Sequence, residues 1–189
     1  RRPVIQIDNP VLKKDLKVGI SAKTINKVFG ENFITEFNVQ LANKYDKDKK
    51  YKTDSFYISP KLDGIRAIAM NKKSNLYSRS GNLFTGFDHI SEEIQDIMNI
   101  FDLDLVDGEL YSDVLDFQDI QSIVLSYKNI NEQDKEKIYY NVFAVLNDNI
   151  QTVEEMMNKI EEIKSKDYKY IKVLGQDIIE NNSNSIKLR

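Results

Sequence analysis

Three charged residues stand close together between two apolar stretches of this sequence, in the hexapeptide Lys61-Leu62-Asp63-Gly64-Ile65-Arg66. Charged groups in such a place are costly unless they are paired or used. A lysine amine becomes nucleophilic when burial or a nearby cation lowers its pKa, and Arg66 is a candidate for that cation and for a phosphate ligand. Gly64 permits a tight turn or a close approach to a ligand. The same residues also fit a surface hairpin with an ordinary Lys–Asp pair, so the hexapeptide alone leaves both interpretations open.

The elements that position these residues are predicted from apolar periodicity and capping signals. Strands are predicted at 56–58, 66–70, 76–78, 103–110, 139–146 and 170–174. Helices are predicted to begin near Ser21, Ser91, Phe117 and Thr152, the last with a Thr152–Glu155 capping box. Loops are predicted at 44–50 and 180–185, and His89 is expected in a loop before a helix. The pattern predicts an α+β fold, in which helices pack on antiparallel strands.

Length, cysteine content, apolar runs and net charge limit the classes of protein to which this sequence can belong. The chain has 189 residues, of which 41% are hydrophobic, enough for one large domain or two small ones. The absence of cysteine excludes disulfides and thiolate zinc sites and favours a reducing compartment. No apolar run suits a membrane helix or a signal peptide, so we expect a cytoplasmic protein without a membrane partner. The net charge of −3 is only a weak argument against nucleic-acid binding, since a local basic face decides that.

Three further segments contain candidate site residues. Ser78-Arg79-Ser80-Gly81 fits a polar turn between strands. Val106-Asp107-Gly108-Glu109-Leu110 places a glycine inside an apolar strand, where glycine is unusual because it weakens strands. In the strand at 139–146, Phe143 taken alone is typical of a core residue.

Together, and in this order, the four segments resemble the motifs of the covalent nucleotidyltransferases, which are DNA ligases, RNA ligases and mRNA capping enzymes. The resemblance implies a nucleotidyltransferase (ATP-grasp-like) domain of antiparallel sheets flanked by helices. It implies that Lys61 is the catalytic nucleophile that takes up AMP. The other residues that it implies are Ser59, Arg66, Glu109 and Phe143 for ATP, Arg79 for DNA, and Asp63 and Gly64 in support. Among these, Ser59 contributes a backbone group to the adenine edge, Glu109 holds the ribose and Phe143 stacks on the purine.

The preceding segment, from Leu12 to Val28, resembles the stretch before the catalytic domain of phage-type and larger DNA ligases. We therefore expect an ATP-dependent DNA ligase of DNA replication, repair or recombination. The expected reaction forms a lysyl-AMP adduct, transfers AMP to the 5′-phosphate of a nick and seals the nick with the 3′-hydroxyl. The expected cofactors are ATP and Mg²⁺, although the sequence identifies no metal ligand, and the expected partner of a monomeric protein is nicked double-stranded DNA. Residues 1–50 are expected to be an extension or linker, and 51–189 an adenylation domain.

The sequence also departs from the family pattern. Ala144 stands where many relatives carry Asp, and neither the E-G-x-x element nor the terminal K-x-K pair is recognisable after Leu174. The adenylation domain is therefore expected to be incomplete at its C-terminal end, and the oligonucleotide-binding OB-fold domain that follows it in DNA ligases is not found either. Two alternatives stay open: an RNA ligase or capping-type enzyme, and a non-catalytic module that binds nucleotide or nicked DNA.

Overall fold

The computed structural model describes residues 22–30, 39, 43–46, 48–70, 73–127 and 131–181. The chain divides into two compact units, Arg1–Asn38 and Val39–Arg189. In the first unit, helix α1 (Ala22–Phe29) confirms the predicted helix, while its predicted capping residue Ser21 lies outside the described residues. Most of the family-like segment 12–28 and the last residues of the predicted loop, 182–185, also lie outside them.

The described part of the second unit contains two sheets and four helices. The strands are β1 (Ser55–Ile58), β2 (Ile65–Met70), β3 (Lys73–Ser78), β4 (Leu105–Tyr111), β5 (Tyr139–Leu146), β6 (Ile171–Val173) and β7 (Asp177–Glu180). The helices are α2 (Asp88–Ile100), α3 (Phe117–Leu125), α4 (Glu132–Lys135) and α5 (Val153–Lys164). Five strands form one sheet in the order β3-β2-β4-β5-β6, and β1 pairs with β7 in the other. The predicted α+β class, with antiparallel sheets flanked by helices, is confirmed.

Strand β6 pairs with β5 in parallel, which is the one parallel pairing of the larger sheet among the described residues. It lies beside β5, with Tyr140 opposite Ile171 and Val142 opposite Val173. Helix α5 provides the crossover that a parallel pair needs, because it carries the chain back along the sheet before β6 begins. The short strand is held from the other side by α2, where the Glu93 carboxylate accepts hydrogen bonds from the backbone N–H groups of residues 169–171 at 2.8 to 2.9 Å.

Two short elements and one helix start differ from the sequence predictions. Helix α4 and strand β7 were not predicted, and Glu180 ends β7 although a loop was expected there. Helix α2 begins at Asp88, so the prediction that His89 lies in a loop is wrong. The reason is burial: Phe87 is 2% exposed and Ile90 is 0% exposed, which draws the first turn onto the core although Phe87 provides no side-chain cap.

Tyr140 connects the three central strands from inside the core. Its side chain is fully buried, and its hydroxyl lies 2.7 Å from the Ala67 carbonyl oxygen of β2 and 3.1 Å from the Val106 carbonyl oxygen of β4. The ring reaches these oxygens across Gly108, where an added Cβ would lie 2.7 Å from the ring carbons Cε2 and Cζ and 2.5 Å from the Asn141 carbonyl oxygen. The unusual glycine within β4 is therefore explained by the space that the tyrosine ring occupies.

The core lies between the larger sheet and its helices. Fully buried apolar side chains come from β2, β4 and β5, and from one face of α2, α3 and α5. The predicted capping box opens α5, with the Thr152 hydroxyl accepting from Glu155 N at 3.2 Å and the Glu155 carboxylate accepting from Thr152 N at 2.9 Å. Among the described residues, no helix has the length and apolar character needed to cross a membrane.

Replacing Tyr140 with Phe is expected to destabilise the protein by about 1–2 kcal/mol, because the two carbonyl oxygens lose their buried partner. Urea unfolding followed by circular dichroism measures the change. Tyr45→Phe, at a tyrosine that is 49% exposed, is the control and is expected to be close to neutral. Equal stability of the Tyr140→Phe variant and the parent protein would show that the hydroxyl contributes nothing to the fold.

Candidate functional site

A cavity of about 530 Å³ opens beside the connections between the two sheets. It has the size of a typical small-molecule site. Four of the predicted site residues line it, namely Ser59, Lys61, Glu109 and Phe143. The remaining lining residues are Pro60, Leu62, Ala144, Val153, Met156, Met157, Leu174 and Gln176. The apolar wall is contributed largely by the first turn of α5 and by the end of the β6 segment.

Lys61 lies in the connection from β1 to β2, and its side chain is 86% exposed. Its ammonium group donates to Asp63 Oδ1 at 2.8 Å. The hydrogen bond and the charge of Asp63 raise the pKa of Lys61 above its ordinary value. The expectation that burial or Arg66 lowers this pKa is therefore wrong for this structure, because the neighbouring carboxylate favours the charged amine and exposure leaves little desolvation to oppose it.

Gly64 brings the lysine-containing connection against β4. Its backbone N–H donates to Glu109 Oε1 at 3.2 Å. A Cβ at this position would collide with the Leu110 carbonyl oxygen and would lie 2.7 Å from Glu109 Cγ. The glycine is thus needed for the close approach that places Lys61 and Glu109 on one cavity.

Glu109 is a half-buried carboxylate on the cavity wall. Burial raises the pKa of Glu109 above its ordinary value, although the Gly64 N–H and the charges of Lys61 and Arg66 act in the opposite direction. On the neighbouring strand, Asn141 stands opposite Glu109. The Nδ2 group of Asn141 is buried and has no hydrogen-bond partner among the described residues.

A β-bulge turns Phe143 toward the cavity. In the β4–β5 ladder, Gly108 pairs with Val142 and Asp107 pairs with Ala144, so Phe143 is the extra residue on β5. A bulge re-aims the side chains around it, and here both Phe143 and Ala144 line the cavity. Phe143 is only partly buried, so it is not the core residue that the isolated strand pattern indicated.

Arg66 lies behind this aromatic residue and does not line the cavity. Its Nε and Nη2 groups donate to the two carboxylate oxygens of Asp107 at 3.0 and 2.6 Å. Its guanidinium lies 5.8 Å from the centre of the Phe143 ring, a cation–π distance. Donation of these hydrogen bonds to Asp107 raises the pKa of Arg66, so the guanidinium stays charged beside the Phe143 ring.

Arg79 lies outside the cavity, in the exposed turn that follows β3. The turn is ordered by the Ser78 hydroxyl, which accepts from the backbone N–H groups of Ser80 at 3.3 Å and Asn82 at 3.0 Å. The structure therefore brings Ser59, Lys61, Glu109 and Phe143 together on one cavity and leaves Arg79 apart from them.

Gln176 is a cavity residue that the sequence did not indicate. It lies between β6 and β7, and its side-chain amide donates to the Phe143 carbonyl oxygen at 3.1 Å. Nothing in the local sequence marks this glutamine, because its position depends on the parallel pairing of β6 with β5. Among the described residues, no group of three or more His, Asp or Glu side chains is arranged to hold a metal ion.

Residues 39–187 match the family described as the ATP dependent DNA ligase domain. A solved structure named Pmar-Lig_Pre is similar, with a TM-score of 0.70 and 23% identity over 94% of this chain and 44% of that chain. A structure from work on Lig E DNA ligases has a TM-score of 0.60 and 22% identity, covering 79% of this chain and 54% of that one. A Chlorella virus DNA ligase-adenylate has a TM-score of 0.53 and 21% identity, covering 79% of this chain and 51% of that one.

These structures show a shared fold, and this chain spans about half of their length. Among curated protein sequences, no significant match is found.

The raised pKa of Glu109 predicts a pH-dependent stability effect. At a pH above 4.5, the ordinary pKa of glutamate, Glu109 has lost its proton in the unfolded chain, whereas burial in the folded protein favours the protonated form. Ionisation of Glu109 therefore lowers the free energy of unfolding as pH rises through the folded-state pKa. Glu109→Gln is expected to be more stable than the parent at about pH 7 and to lose this advantage at about pH 4.

Urea unfolding at the two pH values measures the difference, with Glu92→Gln on the exposed side of α2 as the control. A Glu109→Gln variant that gains no stability at the higher pH would contradict the effect of burial on this carboxyl group.

Proposed function

The chain belongs to the ATP-dependent DNA ligase domain family, and we propose that it is the core of a DNA ligase in which Lys61 carries AMP. One observation carries the proposal. Residues from three separate parts of the sequence, Ser59 with Lys61, Glu109, and Phe143, line a single cavity of about 530 Å³. They provide an amine, a carboxylate and an aromatic face, which are the groups needed to hold and attack a nucleotide. In this proposal the adenylation domain comprises residues 51–189.

In the first proposed step, the neutral amine of Lys61 attacks the α-phosphorus of ATP. A nitrogen–phosphorus bond forms, the bond to the β-phosphate breaks, and pyrophosphate and one amine proton leave. The hydrogen bond to Asp63 at 2.8 Å stabilises the ammonium form, so this contact must be broken before the attack. Catalysis then depends mainly on positioning the two reactants and on stabilising charge.

The cavity walls support specific nucleotide contacts. We propose that Phe143 stacks on the purine, that Glu109 accepts hydrogen bonds from the ribose hydroxyls, and that a Ser59 backbone group meets the adenine edge. A phosphate contact from Arg66 would require a change of partner, because Arg66 is paired with both oxygens of Asp107. Ala144 provides no carboxylate on this wall. Among the described residues that line the cavity, Glu109 is the one that carries a carboxylate.

In the second and third steps, AMP passes to the 5′-phosphate at a DNA nick and the 3′-hydroxyl displaces it. When the 5′-phosphate attacks the adduct, the nitrogen–phosphorus bond breaks, a P–O–P bond joins AMP to the 5′-phosphate, and the lysine amine regains a proton. When the 3′-hydroxyl then attacks the 5′-phosphorus, a phosphodiester bond forms, the P–O–P bond breaks, and AMP and the hydroxyl proton leave. Arg79, exposed in the turn after β3, is proposed to position the DNA strand. The proposed partner is nicked double-stranded DNA, bound by a monomer in the cytoplasm of a bacterial or phage-infected cell.

Mg²⁺ is proposed to accompany the triphosphate. This ion is usually held by one or two carboxylates together with substrate phosphates. Asp63, whose side chain is 78% exposed beside Lys61, is an oxygen donor that fits this requirement. The ion would neutralise charge on the phosphates.

The family match favours a DNA ligase over an RNA ligase or capping enzyme, since residues 39–187 fit a DNA ligase domain. Comparing ATP with GTP as the nucleotide donor, and nicked DNA with nicked RNA as the acceptor, tests this choice directly. A non-catalytic binding module would bind nucleotide without becoming labelled.

The intact mass of the full-length protein after incubation with ATP and Mg²⁺ is expected to rise by one adenylate. Lys61→Ala is expected to abolish this gain, because the attacking amine is removed. Lys50→Ala, at an exposed lysine outside the cavity, is the matched control and should be labelled like the parent protein. Adenylate found on the Lys61→Ala variant would assign the nucleophile elsewhere, and no adduct on the parent protein would favour the binding module.

Phe143→Ala is expected to weaken ATP binding by about tenfold, because aromatic stacking on a base contributes roughly 1–3 kcal/mol. Titration calorimetry measures the affinity, and urea unfolding shows whether the variant keeps its fold. Phe117→Ala, at a phenylalanine on α3 that is 44% exposed and outside the cavity, is the control. Unchanged ATP affinity together with a large loss of stability would return Phe143 to a structural role.

A further inference from the structure

We infer that Gln176 reads the base of the bound nucleotide and selects adenine over guanine. The inference rests on the proposed function and names a specificity residue for the same cavity. Gln176 and the proposed stacking residue Phe143 both line that cavity.

The register of the smaller sheet places Gln176 beside the predicted adenine-edge residue. Ile58 at the end of β1 pairs with Asp177 at the start of β7. In an antiparallel ladder, the next residue of one strand lies opposite the preceding residue of the other. Ser59, which directly follows β1, and Gln176, which directly precedes β7, are therefore neighbours at the end of this sheet. Both residues line the cavity.

The orientation of the Gln176 amide is fixed by the backbone of Phe143. The amide Nε2 donates to the Phe143 carbonyl oxygen at 3.1 Å. A carbonyl oxygen is only an acceptor, so the NH₂ end must face it and the Oε1 end must point elsewhere. No donor to Oε1 is found among the described residues. The side chain thus offers a hydrogen-bond acceptor that no described residue of the protein occupies.

Adenine and guanine differ at the group that would meet such an acceptor. Adenine carries an exocyclic amine, which donates, where guanine carries the O6 oxygen, which accepts. Oε1 can accept from adenine but would face another acceptor in guanine. Turning the amide to suit guanine would place Oε1 against the Phe143 carbonyl oxygen and lose the hydrogen bond that holds Gln176. A site that would leave polar groups unpaired rejects the wrong ligand strongly.

The segment that carries Gln176 is anchored at both ends. Before it, Leu174 N donates to the Val142 carbonyl oxygen at 2.8 Å and extends the pairing of β6 with β5. After it, β7 pairs with β1, and Asn181 N donates to the Asp54 carbonyl oxygen at 2.8 Å. An acceptor held in this way needs little reorganisation when a ligand binds, which makes it suited to discrimination.

The test compares the affinity of the full-length protein for ATP, GTP and purine riboside triphosphate, which is ATP without the exocyclic amine. The parent protein is expected to bind ATP about tenfold more tightly than purine riboside triphosphate, the typical effect of one hydrogen bond. Gln176→Leu is expected to lose this preference and to discriminate less against GTP. Gln118→Leu, at an exposed glutamine on α3, is the matched control and should keep both preferences.

The outcomes separate the two proposals. A parent protein that binds ATP and purine riboside triphosphate equally, or a folded Gln176→Leu variant that keeps the full preference for ATP, overturns the inference and leaves the proposed ligase function intact. A parent protein that binds none of the three nucleotides overturns the proposed function, and the inference with it. Circular dichroism shows whether the variant is folded, and equal binding of ATP and purine riboside triphosphate by the parent protein overturns the inference whether or not the variant folds.

Discussion

The larger sheet depends on the packing of the Tyr140 ring over Gly108. The hydroxyl reaches carbonyl oxygens of β2 and β4, and it can do so only because β4 has no side chain at that point. This contact fixes three strands relative to one another. Once their register is fixed, Glu109 faces Arg66 on one neighbour and Asn141 on the other. The carboxylate of the site is therefore positioned by packing on the opposite side of its own strand.

The candidate site is formed where the chain passes between the two sheets. The connection from β1 to β2 contains Ser59 and Lys61. The connection from β6 to β7 contains Gln176. The β5 bulge adds Phe143 to the same space. Each connection is short and joins a strand of one sheet to a strand of the other, so hydrogen-bonded strand pairs fix its backbone at both ends. A two-stranded sheet is weak by itself, so the position of these residues also depends on the anchoring of β6 by Glu93.

The sequence predicted the elements with strong local signals. The strands at 139–146 and 66–70 and the Thr152–Glu155 cap agree with the structure within a residue, since periodicity and capping are properties of neighbouring residues. Features that depend on distant partners were missed. Strand β7 exists through its pairing with β1, and the bulge at Phe143 exists through a register with β4. The raised pKa of Lys61 is a different case, because it follows from a local Lys61–Asp63 pair, one of the two interpretations that the hexapeptide left open.

The contact between Lys61 and Asp63 also affects the chemical reactivity of an exposed lysine. Only a free amine attacks an electrophile, and the exposed Lys61 is held as an ammonium ion by the carboxylate 2.8 Å away. The pairing with Asp63 therefore lowers the fraction of free amine, and with it the reactivity of this exposed side chain toward aldehydes and acyl donors. A ligand that draws Asp63 away would expose the amine only when its own reacting atom is present. High exposure and low reactivity are thus compatible in one residue.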